Sequence, residues 1–398
     1  MTVVQAGGTR PTAAIDARNG TLYVAWVGTD TAGANVYLAR LEPGGTAFSA
    51  PVRVNDVPGD AAPHEQAPAQ VAVGPEGNVY VAWQNNTVVP GRRFPASDLR
   101  FARSVDGGRT FEPAIYVNDD AGGTPTSHTF HNLLVGPDGT VYVAWIDSRT
   151  RASEMAATGG AGQGTKASSM ASMGHHGESA GPGPEIRFAR STDQGRSFGP
   201  SVVVDRDACP CCRTSLALGA DGTVYVAWRK VFDGNLRDIV VARMEPGAAG
   251  FEAPVRVHAD EWFFEACPHA GPSIAVDAAG RLHVGWYTGR EGGPGLYHAV
   301  STDGGRSFGT PDAVLADAWV PPSQITLAAD ETGAVWVAWD DRRAVERTVH
   351  LARVPAGESD PVDVDAALAG RAPSVAAAAA VRAVTWLDGA AVRVALAR

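Results

Sequence analysis

Four cysteines in 398 residues are too few to staple a chain of this size, and three of them fall in one stretch, Cys209-Pro210-Cys211-Cys212. The fourth stands in Cys267-Pro268-His269. The two stretches share a pattern, Ala208-Cys209-Pro210-Cys211 against Ala266-Cys267-Pro268-His269. Thiolates are soft donors, and with imidazole they make the ligand set of zinc or copper. His64, His128 and His131 are further imidazole donors, and a Gly/Ser/Ala-rich stretch adds Met155, Met170, Met173, His175 and His176. Thioether with imidazole favours Cu(I), whereas zinc gains little from methionine.

Residues so far apart in sequence can act together only if the fold is a repeating one. A run of alternating apolar residues ending in Trp recurs seven times: Leu22 to Trp26, Val79 to Trp83, Val141 to Trp145, Val224 to Trp228, Leu282 to Trp286, Val335 to Trp339, and the weaker Ala383 to Trp386. Each copy follows a short apolar run and a turn such as Gly136-Pro137-Asp138-Gly139, which predicts a hairpin, and third and fourth short runs follow in most copies. Four short strands per unit predict an all-β fold, a single seven-bladed β-propeller over residues 1–398, with a six-bladed ring as the alternative. The last unit lacks an outer strand. Thr2-Val3-Val4-Gln5 is expected to supply it and close the ring.

The repeat also serves as a ruler. Cys209 and Cys267 both lie 19 residues before their Trp, and Cys211 and His269 both lie 17 before. His64 takes the first of these positions in the second unit, and His128 takes the second in the third unit, with His131 nearby. These positions lie in the connections that enter the innermost strands, so four neighbouring units are expected to aim Cys, His or Gln at one axial bowl. Residues 146–184 form a loop insertion in the third unit that carries the Met/His stretch and is expected to overhang the same face.

Ser104-Val105-Asp106-Gly107-Gly108-Arg109-Thr110-Phe111, Ser191 to Phe198 and Ser301 to Phe308 resemble the Asp-box, or BNR repeat, of the sialidase-like propeller superfamily. The resemblance covers nearly the whole chain and implies the propeller fold, with the Asp-box itself a structural turn. It also implies glycan chemistry, in which three arginines hold a carboxylate, a Glu-assisted Tyr is the nucleophile and an Asp is the acid/base. Arg213 and Arg371 stand in comparable loops, and Tyr287 is the one Tyr directly after a Trp-ending run, but Arg10-Pro11 lacks the middle residue of the family's Arg-Ile-Pro motif.

With 33 Lys+Arg against 43 Asp+Glu the formal charge is −10, which argues against nucleic acid and anionic membrane as partners. No apolar run is long enough for a membrane-spanning helix. The leading expectation is a periplasmic or secreted monomer that binds copper, with zinc as the alternative ion, and acts as a copper-dependent oxidase or in copper handling. A sialidase-like glycosidase or carbohydrate-binding propeller with a small-molecule or glycan substrate is the second expectation. A thiol redox or scaffold protein, in which Cys209-Pro210-Cys211-Cys212 works as a thiol pair, is the third. The alternative to a metal site is an inter-blade Cys209–Cys267 disulfide, with Cys211 and Cys212 a vicinal disulfide or buried thiols.

Overall fold

The computed structural model describes residues 2–5, 7–92, 94–150, 183–358, 362–363 and 367–397. Each Trp-ending run is the second strand of an antiparallel blade, because its alternating β-branched and aromatic residues pack on both faces. The preceding hairpins turn through glycines with positive φ, such as Gly139 at 80° and Gly222 at 84°. The innermost strands of blades 1 to 7 are Thr12–Ile15, Gln70–Val73, His128–Val135, Ser215–Leu218, Ser273–Val276, Ile325–Ala329 and Arg371–Ala378. Blades 1 to 6 have four strands in sequential order, blade 6 with a fifth short one, Leu368–Ala369, and blade 7 has three in sequence plus one from the chain's start.

Ring closure follows the expectation. Thr2–Gln5 pairs antiparallel with Ala391–Ala397, with Thr2 opposite Val394 and Val3 opposite Arg393. The apolar core is divided into clusters between neighbouring blades. One of them joins Leu22, Val24 and Trp26 of blade 1 to Ala383, Leu387, Val392 and Val394 of blade 7. Around the axis, polar side chains stitch one inner strand to the next: Asn132 Oδ1 accepts from Leu216 N–H at 2.9 Å, Ser215 Oγ from Ile274 N–H at 3.1 Å, and Ser273 Oγ from Leu327 N–H at 2.9 Å.

Deleting residues 1–6 bares the edge of the strand Ala391–Ala397, and the loss of its few backbone hydrogen bonds and apolar cover is expected to cost roughly 2–3 kcal/mol. The open edge is also expected to promote self-association. Urea denaturation and light scattering check this; an unchanged midpoint would mean that the strand does not close the ring.

The Asp-boxes are architecture. Asp106 Oδ1 accepts from the Arg109 and Thr110 amides, both at 2.9 Å, and Ser104 Oγ accepts from Gly108 N–H at 2.8 Å. Asp193 and Asp303 repeat the pattern. Phe198 of the second box meets Phe101 edge-on at 5.0 Å between blades. Among the described residues, no helix is long and apolar enough to cross a membrane.

Candidate metal centre

Cys209 to Cys212 form a tight turn between the outer strand of blade 3, Val202–Asp205, and the inner strand of blade 4. The Cys209 amide donates to Arg229 O at 2.8 Å and the Cys212 amide to Cys209 O at 3.4 Å, which turns the side chains toward one another. Cys209 Sγ lies 3.7 Å from Cys211 Sγ and 3.5 Å from Cys212 Sγ, and all three residues are buried. A disulfide needs about 2.05 Å, so these are free thiols. An ion with metal–sulfur bonds of about 2.3 Å sets its sulfurs roughly 3.8–4.0 Å apart, so an expansion of a few tenths of an ångström about Cys209 separates this triad from a coordination site.

A second triad overlaps the first. The ligand atoms of Cys211, Cys267 and His269 all lie within 4.8 Å of one another, as do those of Cys209, Cys211 and Cys212. Cys211 belongs to both. Cys267 is exposed and free, so the inter-blade disulfide with Cys209 is not formed. His269 holds a left-handed backbone with φ of 51°, and its carbonyl accepts a hydrogen bond from Gln324 Nε2 at 2.7 Å. That tie fixes the loop at the axis.

The charge around the sulfurs is positive. Arg237 Nη1 donates to Cys209 Sγ at 3.2 Å. Arg229, 1% exposed, donates to Arg237 O, Ala270 O and Tyr287 O, and Trp262 covers its guanidinium at 5.0 Å from the ring centroid. Among the described residues neither arginine has a carboxylate within ion-pair distance. Burial pushes the Cys209 thiol up to about 12. Hydrogen bonds shared with Cys209, Cys212 and Cys267 hold the Cys211 proton in place, so Cys211 is raised. Burial works against ionising Cys212, but the Cys209 and Cys211 thiols, Arg229 and the Ala270 amide together hold it well below the usual thiol range. Within the inner triad the surroundings thus favour the Cys212 anion, and the hydrogen bond with Cys211 lowers Cys267 as well.

Beside it, His64, Glu65, Gln66, Pro268, His269, Pro322 and Arg342 line an open pocket of about 450 Å³. The His64 and His269 ring centroids are 6.1 Å apart, while His64 Nδ1 accepts from Gln66 N–H at 3.1 Å. His64 therefore borders the outer triad without joining it. Burial and the neighbouring His269 lower its pKa. Glu65 pairs with Arg342 at 2.7 Å and with Arg371 at 2.8 Å, so Arg371 reaches the mouth already neutralised. Arg342 also holds the buried Asp340 at 2.8 Å, while Arg343 and Asp341 pair at 2.7 Å on the rim outside it.

Arg213 and Arg10 converge from opposite blades on Gln324 Oε1, at 2.5 and 2.9 Å; Arg213 also donates to Ile325 O and Gln66 Oε1, and Arg10 to Pro373 O. Both are buried, and desolvation lowers them, Arg10 to about 10. Two of the three arginines a sialidase-like site needs are thus committed to the fold. The Tyr287 hydroxyl donates to Val320 O at 2.7 Å, burial raises it to about 12, and it is not among the walls of the pocket.

His128 and His131 are placed away from the sulfurs, and a β-bulge is the reason. The inner strand of blade 3 begins early, pairing His128 with Asp147, and breaks register between Thr129 and Asn132, where Phe130 takes a φ of 56°. His128 is thereby drawn into a carboxylate cage, Nε2 lying 3.0 Å from Asp120 and 3.5 Å from Asp147. His131 is buried against Ala82 O at 3.1 Å, and desolvation lowers it to about 4. Met155, Met170, Met173, His175 and His176 lie outside the described residues.

The cage makes a pH signature. Burial opposes a charged His128 ring, but the hydrogen bond to Asp120 and the charge of Asp147 prevail and raise its pKa above the ordinary 6.5. A raised folded-state value means stability fully present below 6.5 and lost as pH rises through the folded value. The stability gap between wild type and His128→Gln is therefore expected to be larger near about pH 5.5 than near about pH 8.5 by urea denaturation; a gap that widens with pH contradicts a charged ring.

Reading the sequence missed Arg237, whose place in a third strand carries no visible mark. Arg229 was more legible: it directly follows Trp228, where other repeats have Val27, Gln84, Ile146, Tyr287, Asp340 and Leu387.

No protein-family model matches the sequence. No curated protein matches it either. Solved structures do. An ulvan lyase, described as a new polysaccharide lyase family and bound to a GlcA-containing fragment, aligns over 100% of this chain and 95% of its own, with 13% identity and a TM-score of 0.60. What the chain shares with it is the β-propeller fold. A Hadza microbial sialidase aligns over 95% of this chain and 77% of its own at 13% identity, and a leech intramolecular trans-sialidase over 100% and 92% at 9%, each with a TM-score of 0.51. At such identities the likeness is one of backbone fold, and the chemistry of this chain has to be argued from its own side chains.

Proposed function

We propose that this sialidase-like propeller is an exported copper-handling protein that holds Cu(I) in the trigonal set Cys209, Cys211 and Cys212. The observation that carries the reading is three buried thiols at near-coordination spacing, with Arg237 donating to one of them. Three thiolates and a monovalent ion carry two negative charges, which the unpaired guanidiniums of Arg229 and Arg237 match. A tetrahedral zinc site asks for a fourth ligand around the same point, whereas Cys267 and His269 gather around Cys211 in a separate triad. The buried triad leaves no room for an oxidised substrate, which favours handling of the ion over oxidase chemistry.

Anaerobic titration of the reduced protein, purified without a His-tag, tests this. Cu(I) is expected to be taken up with ultraviolet thiolate-to-metal charge-transfer absorption and to displace Zn(II). Absence of uptake overturns the reading.

The likeness to lyases and sialidases favours a second reading, a carbohydrate-active or carbohydrate-binding propeller whose ligand occupies the pocket over Glu65, His64 and Arg342. Turnover or retardation of sialosides and uronate polysaccharides, lost in Arg371→Ala and indifferent to copper chelators, supports it; inert behaviour toward both classes removes it.

A further inference from the structure

The two triads differ in access. Cys209, Cys211 and Cys212 are 0%, 4% and 1% exposed, whereas Cys267 and His269 are both exposed, and His269 with Pro268 forms part of the wall of the 450 Å³ pocket. Cys211 is the sole member of both sets. Among the described residues an ion in the inner triad has no direct path to solvent, since all three cysteines pack in the core cluster between blades 3 and 4 with Trp228, Phe130 and Ile186, and Cys211 alone of the three also meets the exposed Cys267 and His269. A ligand from outside can meet it only on the Cys211 side.

Resting on the copper reading above, we propose that Cys211, Cys267 and His269 form an exchange port through which Cu(I) passes between the buried triad and a carrier presenting thiolate or thioether donors in the axial pocket. Transfer is ligand substitution with no change of oxidation state. The Cu–Sγ bonds to Cys209 and Cys212 break as bonds to Cys267 Sγ and a His269 ring nitrogen form, and Cys211 stays bound through this step. The proton that Cys267 gives up goes to a thiolate left behind, so charge is conserved within the cluster. The carrier's donors then replace His269, Cys267 and last Cys211, each departing thiolate taking up the proton of the incoming carrier thiol, or one from solvent where the donor is a thioether, so that the ion leaves on the carrier. Low coordination number and soft ligands suit such stepwise exchange, because each intermediate keeps two or three ligands. The port makes copper the cargo of this protein.

The test uses full-length protein loaded with one equivalent of Cu(I) and mixed with excess bathocuproine disulfonate, a chromogenic Cu(I) chelator that stands in for the carrier. The variants are Cys267→Ser and His269→Asn, asparagine being chosen because it tolerates the left-handed backbone at that position. Both are expected to keep one tightly bound ion, with release slowed by at least about tenfold relative to wild type. Equal release rates overturn the port. So does an affinity loss matching that of Cys209→Ser, which makes the outer residues resting ligands, or a wild-type stoichiometry of two that falls to one in Cys267→Ser, which makes the outer triad a permanent second site. Failure of the wild type to take up copper refutes the copper reading itself, and is read in the loading step before any exchange is measured.

Discussion

Cys211→Ser is expected to remove Cu(I) binding while leaving the apo fold intact. Serine has the shape of cysteine, so the turn and its backbone hydrogen bonds persist, but its hydroxyl is a hard donor that stays protonated near neutrality and does not replace a thiolate for a soft ion. Because Cys211 is the residue common to both triads, one substitution reduces the inner set to Cys209 and Cys212 and the outer set to Cys267 and His269. The affinity loss is expected to exceed about 100-fold, the upper end of what removing an outer-shell partner costs. The readout is thermal. An ion that binds only the folded state at about 100 times its dissociation constant stabilises it by ~2.7 kcal/mol, so wild type gains several degrees with Cu(I) and the variant gains none. A copper-induced shift of equal size in both proteins contradicts the assignment of Cys211.

How much of this was written in the sequence depends on how local the signal is. The Trp-ending runs and glycine turns are nearest-neighbour patterns, so blade number, strand order and the closing strand Thr2–Gln5 could be read directly. The equivalence of Cys209 with Cys267 and of Cys211 with His269 was legible for the same reason, since a rigid repeat converts sequence distance into position. It failed in blade 3, where one bulge after Thr129 moved His128 into a strand and His131 into the core. A bulge is set by tertiary packing around Phe130 and leaves no mark in residue type. Side-chain commitments were likewise hidden: nothing in the chain announces that Arg10 and Arg213 meet on Gln324, or that the Tyr287 hydroxyl is taken by Val320 O. The arginines looked available because their partners lie more than a hundred residues away.

That long-range network predicts the largest change in stability. Asp340 is 0% exposed and accepts from four donors: Gln324 N–H at 2.7 Å, Ala372 N–H at 2.8 Å, and Arg342 Nε and Nη2 at 3.0 and 2.8 Å. It thereby joins blades 6 and 7 at the mouth. Asp340→Ala leaves two buried amides and part of a guanidinium unpaired, and is expected to cost about 3–5 kcal/mol, a large share of the roughly 5–15 kcal/mol that holds a folded protein. Its sequence neighbour is the control. Asp341 pairs with Arg343 at 2.7 Å on the exposed rim, where solvent screens the pair, so Asp341→Ala is expected to cost under about 1 kcal/mol. The Asp340 loss also has a consequence for the metal centre: Gln324, freed from the carboxylate, is the residue that holds His269 O and takes Arg10 and Arg213. Asp340→Ala is therefore expected to loosen the outer triad as well, changing the rate of copper release in protein that is still folded at low temperature. Urea denaturation of the two alanine variants decides the first point, since equal midpoints would make Asp340 another rim residue. The release rate of folded Asp340→Ala decides the second, because a rate unchanged from wild type would uncouple the axial network from the site.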